Sequence, residues 1–183
     1  MMLDYELNPI IAAVKNRERL EKAVGSDVQA IFLLSSNIID IEEFARLVHD
    51  RGKLLFIHMD LVDGLSKDAA GVRYLSTKGI DGIISTRSNI IAAAHDAGIY
   101  CVQRFFMIDS RSVDTALDTL KQSKADMIEI MPALAYKSIT KIKNNIQIPI
   151  IAGGLIESRD EVYKALGAGA SMISTGKSDL WND

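Results

Sequence analysis

The sequence predicts an α/β fold, a compact (β/α)8 TIM barrel forming a single domain over residues 1–183. Three observations point there. Short apolar runs alternate eight times with amphipathic stretches. The runs are nearly continuous in apolar residues, as in parallel strands covered on both faces. Glycine-rich breaks come late, at Ile150-Ile151-Ala152-Gly153-Gly154 and Met172-Ile173-Ser174-Thr175-Gly176-Lys177-Ser178. The seventh and eighth strands of such a barrel end in loops of this kind, which cradle phosphate. A doubly wound open sheet, the competing architecture, carries its glycine-rich turn after the first strand. Each unit averages about 23 residues, which suffices if the loops are short.

Strands are expected at Pro9–Val14, Ala30–Ser35, Lys53–Asp60, Gly82–Thr86, Tyr100–Phe106, Met127–Met131, Ile148–Ala152 and Met172–Thr175. Helices fill the intervals. Ile41, Phe44, Ala45 and Val48 make one apolar stripe at helical spacing, and Val113, Ala116, Leu117 and Leu120 make another. Asp40 with Glu43 three residues on reads as an N-terminal capping pair. Ser110, Ser138 and Ser158 read as further helix starts. Gly52, Gly79, Gly98 and the pair Gly167/Gly169 stand where a helix gives way to a strand, as C-terminal caps do. Asp179-Leu180-Trp181 reads as a short closing helix whose N-terminus faces the late glycine loops.

Composition narrows the class. Hydrophobic residues make up 48% and there are only three prolines, so the chain is globular rather than disordered. No apolar run approaches the ~20 residues of a membrane span. Met1 to Glu6, with Asp4 and Glu6, lacks the basic-then-apolar pattern of a signal peptide. The single Cys101 excludes an internal disulfide, and a cytoplasmic location is expected. A net charge of -3 argues against a protein that grips nucleic acid over its whole surface.

In a barrel, chemistry sits at the C-terminal ends of the strands. Gly153, Gly154, Ser174, Thr175 and Gly176 form the candidate phosphate cradle, because backbone N–H groups approach an anion where side chains are small or absent. Alternation along the third strand puts Leu54, Phe56, His58 and Asp60 on the interior face. In the sixth, Ile128 and Ile130 outward leave Glu129 inward; in the eighth, Ile173 outward leaves Ser174 inward. Arg87 and Arg104 stand near the ends of the fourth and fifth strands, and their direction is left open. Each residue also has a plain structural reading: His58 and Asp60 as a polar layer, Arg104 and Glu129 as a pair, Arg87 as a solvated cation.

Other chemistries find less support. Lys177-Ser178 resembles the end of a P-loop, but the Gly-x-x-x-x-Gly-Lys spacing is missing, which excludes nucleotide hydrolysis on that motif. His58, Asp60 and Glu129 are a weak metal set with no histidine or cysteine cluster beside them, so no metal is expected. Cys101 is early in its strand and reads as a core residue. Lys53 begins a strand and belongs at the barrel bottom. His49 and His95 lie late in helices, where a cation suits the dipole. No catalytic residue and no cofactor are expected.

Several segments together resemble one family. They are Phe56-Ile57-His58-Met59-Asp60-Leu61-Val62-Asp63-Gly64-Leu65, Asp81-Gly82-Ile83-Ile84-Ser85-Thr86, Gln103-Arg104-Phe105-Phe106-Met107-Ile108-Asp109-Ser110, Glu129-Ile130-Met131-Pro132, Ile151-Ala152-Gly153-Gly154-Leu155-Ile156, and Ser174-Thr175 with the closing Leu180-Trp181. In order and over nearly the whole length, this is similar to the glycerol uptake operon antiterminator regulatory proteins. The resemblance implies a bacterial regulator of glycerol catabolism. Its effector would be glycerol-3-phosphate, and it would act on the leader mRNA of glycerol genes to prevent early termination. It implies phosphate on Gly153, Gly154, Ser174, Thr175 and Gly176, with hydroxyls on His58, Asp60, Glu129 or Arg104 and Arg87 close by. Candidate RNA contacts are Lys121 and Lys124 at one helix end, with Lys137, Lys141 and Lys143 on the next helix opposite Ile139 and Ile142. A solvated helix exterior is the better default for those lysines. Mouth residues Lys67, Arg87 and Arg111 are the other candidate surface, with the 60–67 loop as a switch. The oligomeric state is left open. The alternative function is a small phosphate-dependent isomerase, epimerase or aldolase using His58, Asp60 and Glu129 as acid–base groups.

Overall fold

The eight apolar runs close on one another. The computed structural model describes residues 8–182; the opening segment Met1–Glu6 lies outside the described residues. In chain order the elements are β1 (Ile10–Val14), α1 (Arg17–Val24), β2 (Ala30–Leu33), β3 (Ser36–Asn37), α2 (Ile41–His49), β4 (Leu54–His58), β5 (Val62–Asp63), α3 (Ala69–Ser76), β6 (Gly82–Ser85), α4 (Ser88–Asp96), β7 (Tyr100–Phe106), α5 (Ser110–Leu120), β8 (Met127–Met131), α6 (Tyr136–Lys143), β9 (Ile150–Gly153), α7 (Arg159–Gly167) and β10 (Met172–Thr175). The barrel runs β1-β2-β4-β6-β7-β8-β9-β10 and returns to β1, parallel throughout. This is the predicted architecture. Among the described residues no helix is long and apolar enough to cross a membrane.

The third predicted strand needs correction. β4 stops at His58, and Met59–Leu61 forms a 3-10 turn that carries Asp60 out of the strand. The 60–67 stretch is not a free loop either. Its Val62–Asp63 pairs in parallel with Ser36–Asn37 as a separate two-stranded sheet. The loops after β2 and β4 are thereby tied together, and Ile38 N–H donates to the Asp63 carbonyl as well.

Period-2 alternation sorts the side chains as expected. Leu55, Ile57, Ile83 and Cys101 point out into the layer shared with α1–α4. Ile128, Ile130, Ile150 and Ile173 pack with α5–α7. Phe32, Leu54, Phe56, Ile84, Val102, Met127, Ile151 and Met172 fill the barrel interior. The Phe32 and Phe56 rings lie with centroids 5.3 Å apart. Phe56 occupies room left by Gly82, where a Cβ would meet Phe56 Cε1 at 2.5 Å and the Tyr100 carbonyl oxygen at 2.8 Å.

Helix ends follow the expectation only in part. Ser158 caps α7, with Glu161 closing a capping box. Asp40 makes no cap bond; its carboxylate accepts from Asn37 Nδ2 at 2.6 Å instead. α5 is capped by Asp109 rather than Ser110, because Asp109 has the extended backbone and the three-residue spacing to Ser112 that a capping box requires. Ser138 lies inside α6, whose N-cap is Ala135. Gly98 and Gly169 take φ of 72° and 111° just past α4 and α7, as caps do, whereas Gly167 is the last residue of α7. The chain closes with a 3-10 turn at Ser178–Leu180. Beyond it the buried Trp181 indole donates to the Thr175 carbonyl at 2.9 Å, clamping the end of β10.

Gly82→Ala is expected to lower the unfolding free energy by about 1–3 kcal/mol through overpacking of the barrel interior. Urea denaturation reads this directly, and an unchanged midpoint would mean that the Phe56 ring yields without cost.

Candidate functional site

Above the aromatic layer the barrel interior turns polar. Arg104 on β7 and Glu129 on β8 are register partners, and the Arg104 Nε–Glu129 Oε2 distance is 2.5 Å with both side chains buried. The other carboxylate oxygen, Oε1, accepts from Ser174 on β10 at 2.6 Å. That bond passes over β9. It passes because the residue there is Gly153, whose Cβ would meet Glu129 Oε1 at 2.5 Å and would also overlap Ser174 Oγ. Arg104, Glu129, Gly153 and Ser174 therefore form one unit across four strands. The direction of Arg104, open in the sequence, is inward.

His58 ends β4 at the same level. It is 7% exposed, and neither ring nitrogen has a hydrogen-bond partner among the described residues. The nearest Asp60 carboxylate oxygen is 3.6 Å away, beyond hydrogen-bond length. Burial, reinforced by the Arg104 charge and partly opposed by Asp60, pushes the imidazole pKa down to about 4. The Leu34 carbonyl, a hydrogen-bond acceptor facing the ring, also opposes the drop, although no bond of good geometry joins the two. At neutral pH the ring is uncharged and holds one donor and one acceptor, both unused.

Asp60 does not share the interior face with His58. Its turn aims it at the end of β6, where it accepts from Ser85 Oγ at 3.0 Å and from Thr86 N at 3.0 Å. The exposed Arg87 stands 3.6 Å from it. Lys67 lies within reach of Asp63, Asp60 and Arg87; burial lowers its pKa, the two carboxylates opposing. Its ammonium donates to the Val62 carbonyl. Lys67 stands at the mouth as the sequence suggests; Ser85 and Thr86 are not legible as partners of Asp60, since nothing local links them across 25 and 26 residues.

The late loops meet on the other side of the mouth. Gly154 and Leu155 have φ of 77° and 63°, and positive φ at leucine is a strained backbone. Thr175 is buried, and its hydroxyl donates to the Ile156 carbonyl at 3.0 Å, joining the two loops. Its oxygen also accepts from Lys177 N. Thr175 thus braces the two late loops against each other. Gly176 follows, its carbonyl accepting from the Arg19 guanidinium, which stacks over the Trp181 ring at 5.2 Å. Lys22 Nζ reaches Ser178 Oγ at 2.9 Å. Arg19 and Lys22, three apart on α1, are cations beside the loop after β10 that the late-loop motif could not reveal.

The helix lysines do not gather into a basic face. Lys121 pairs with Asp118 at 2.8 Å, Lys124 with Asp96 at 2.8 Å and Lys141 with Asp114 at 2.6 Å; Lys137 is exposed. Cys101 is buried in the outer layer, with its thiol pushed up to about 12 by burial. Lys53 donates to the Ser26 and Val28 carbonyls at the barrel bottom. Among the described residues no group of three or more His, Cys, Asp or Glu could hold a metal ion.

Residues 10–181 match the family model described as glycerol-3-phosphate responsive antiterminator. The uncharacterized protein YgcP of Escherichia coli (strain K12) is 35% identical over 175 residues, which is 95% of this chain and 92% of that protein. The crystal structure of the glycerol uptake operon antiterminator regulatory protein from Listeria monocytogenes str. 4b F2365 is similar with a TM-score of 0.92 at 31% identity, covering 99% of this chain and 98% of that one. A glycerol uptake operon antiterminator-related protein from Thermotoga maritima MSB8 gives 0.84 at 32% identity, over 94% and 96% of the two chains.

The buried imidazole has a pH signature. Its pKa is about 4 in the folded protein and about 6.5 when the chain is unfolded. Between those values the unfolded state binds the extra proton, so stability rises with pH through the window, by up to about 3 kcal/mol. Urea midpoints from pH 4 to 7 should show this rise, and His58→Leu should flatten it. A slope unchanged in the variant would assign the effect to other groups.

Proposed function

The chain belongs to the glycerol-3-phosphate responsive antiterminator family, and we propose that it binds glycerol-3-phosphate in the barrel mouth and, so loaded, acts in the cytoplasm on the leader mRNA of glycerol genes. The observation that carries the effector reading is His58, a buried neutral imidazole with a donor and an acceptor both unspent. An orphaned buried polar group costs about 1–3 kcal/mol, and a ligand hydroxyl, which both donates and accepts, relieves that cost. A ligand with hydroxyls at one end and phosphate at the other suits a mouth with His58 on one side and the glycine loops on the other.

In this reading the phosphate lies on Gly153, Gly154, Ser174, Thr175 and Gly176. Ser174 and Thr175 already spend their hydroxyl protons on Glu129 and Ile156, so they contribute shape and backbone. Lys177, Arg19 and Lys22 supply positive charge nearby. The glycerol hydroxyls reach His58 and the polar groups around it, Asp60, Arg104, Glu129 and Arg87. Both oxygens of Glu129 are engaged, which suits a wall of a binding site better than an acid–base catalyst. For regulation, the ligand must favour the RNA-competent state, and a coupling of about 1–3 kcal/mol suffices.

Calorimetric titration with glycerol-3-phosphate, against glycerol and inorganic phosphate, is expected to show selective binding with the ligand recovered unchanged. Conversion of the ligand would replace the sensor by an enzyme, and absence of binding would remove the effector site. His58→Leu should bind glycerol-3-phosphate at least about ten-fold more weakly yet unfold at no lower urea concentration at pH 7, since it removes an unsatisfied polar group. Unchanged affinity in that variant would take His58 out of the site.

A further inference from the structure

Nine large apolar or aromatic side chains are exposed among the described residues. Six of them, Ile39, Leu61, Phe106, Ile108, Leu134 and Leu155, sit at the C-terminal ends of barrel strands or on the loops that follow. Apolar residues gathered on one face mark a contact surface. They are not evenly accompanied. After β9 and β10 charges of both signs stand together: Glu157, Arg159, Asp160 and Glu161, then Lys177 and Asp179, with Asp160 and Asp179 paired to Lys164 and Lys177. After β6, β7 and β8 they are the exposed cations Arg87, Arg111 and Lys137, each at the start of α4, α5 or α6. Arg87 faces Asp60 at 3.6 Å. Arg111 and Lys137 have no ion-pair partner within 4 Å among the described residues. The acid in this sector, Asp109, is committed to capping α5.

The geometry points to this sector of the rim, Phe106, Ile108 and Leu134 set among Arg87, Arg111 and Lys137, as the surface that holds a single-stranded RNA segment. The inference rests on the leader-mRNA reading above and names the surface. Phosphates would lie on the three cations and a base would stack on the half-exposed Phe106 ring; unpaired RNA is recognised by this combination of charge and aromatic platform. The lysines along α5 and α6 are poorer candidates, because Lys121, Lys124 and Lys141 already have carboxylate partners.

The placement also links RNA to effector. Phe106 lies two residues beyond Arg104 on β7, on the same strand as the buried ion pair. Arg87 lies two residues beyond Ser85, which holds Asp60, and its own N–H donates to Ser85 Oγ. A ligand that repositions Arg104 or Asp60 acts one pleat away from the RNA contacts.

The test uses fluorescein-labelled RNA oligonucleotides tiling the leader of the glycerol uptake operon, with glycerol-3-phosphate present, read by fluorescence anisotropy. Phe106→Ala should weaken RNA binding about 5- to 100-fold. Arg111→Ala should reduce the slope of log affinity against log salt by about one. Both should keep the calorimetric affinity for glycerol-3-phosphate, and Tyr163→Ala, an exposed aromatic on α7, should change neither. RNA binding by the parent protein that survives both rim substitutions would overturn the surface while leaving the RNA reading intact. No binding of any oligonucleotide by the parent protein would overturn both. A change of sedimentation in the variants with RNA affinity unaltered would make the rim a protein-contact face and also overturn the proposal.

Discussion

A carboxylate taken out of water must be matched, and Glu129 is almost fully buried inside the barrel. Its matching organises the mouth. The guanidinium of Arg104 supplies the opposite charge from β7, and the Ser174 hydroxyl satisfies the second oxygen from β10. Glycine between them on β9 leaves the path clear. Four strands must hold their register for this to work, so the pair ties barrel closure to the polarity of the mouth. Below it the interior is aromatic and aliphatic; at its level the interior can present groups to a ligand.

The barrel was legible because parallel strands buried on both faces leave continuous apolar runs, and β7, β8 and β10 begin and end where their runs do. The β3–β5 sheet was not legible, since two-residue strands have no period. The same limit misplaced Asp60: the alternation through Leu54, Phe56 and His58 continues on paper into the 3-10 turn. Helix starts were ambiguous where several polar residues stand together, as at Asp109, Ser110 and Ser112, and backbone conformation chose among them.

In the site, period 2 was enough to turn His58, Glu129 and Ser174 inward, but not to show who meets whom. Arg104 found its direction through register with Glu129, a relation between strands. Gly153 reads locally as part of an anion loop, and its clearance for Glu129 depends on residues on two other strands. The lysines of α5 and α6 look like a basic face until their acids, from Asp96, Asp114 and Asp118, are placed beside them. His58 is the clearest case. Its sequence position marks a polar residue near a strand end, and only the packed structure reveals that it lacks a partner.

The aromatic plug formed by Phe32 and Phe56, the latter packed on Gly82, has a kinetic meaning. With the lower barrel filled, a small molecule in the mouth has one way in and the same way out. Whatever macromolecule covers the rim then governs how long that molecule stays. Occupancy of the two would follow an order, small molecule before large, and the reverse sequence would wait for the rim to clear.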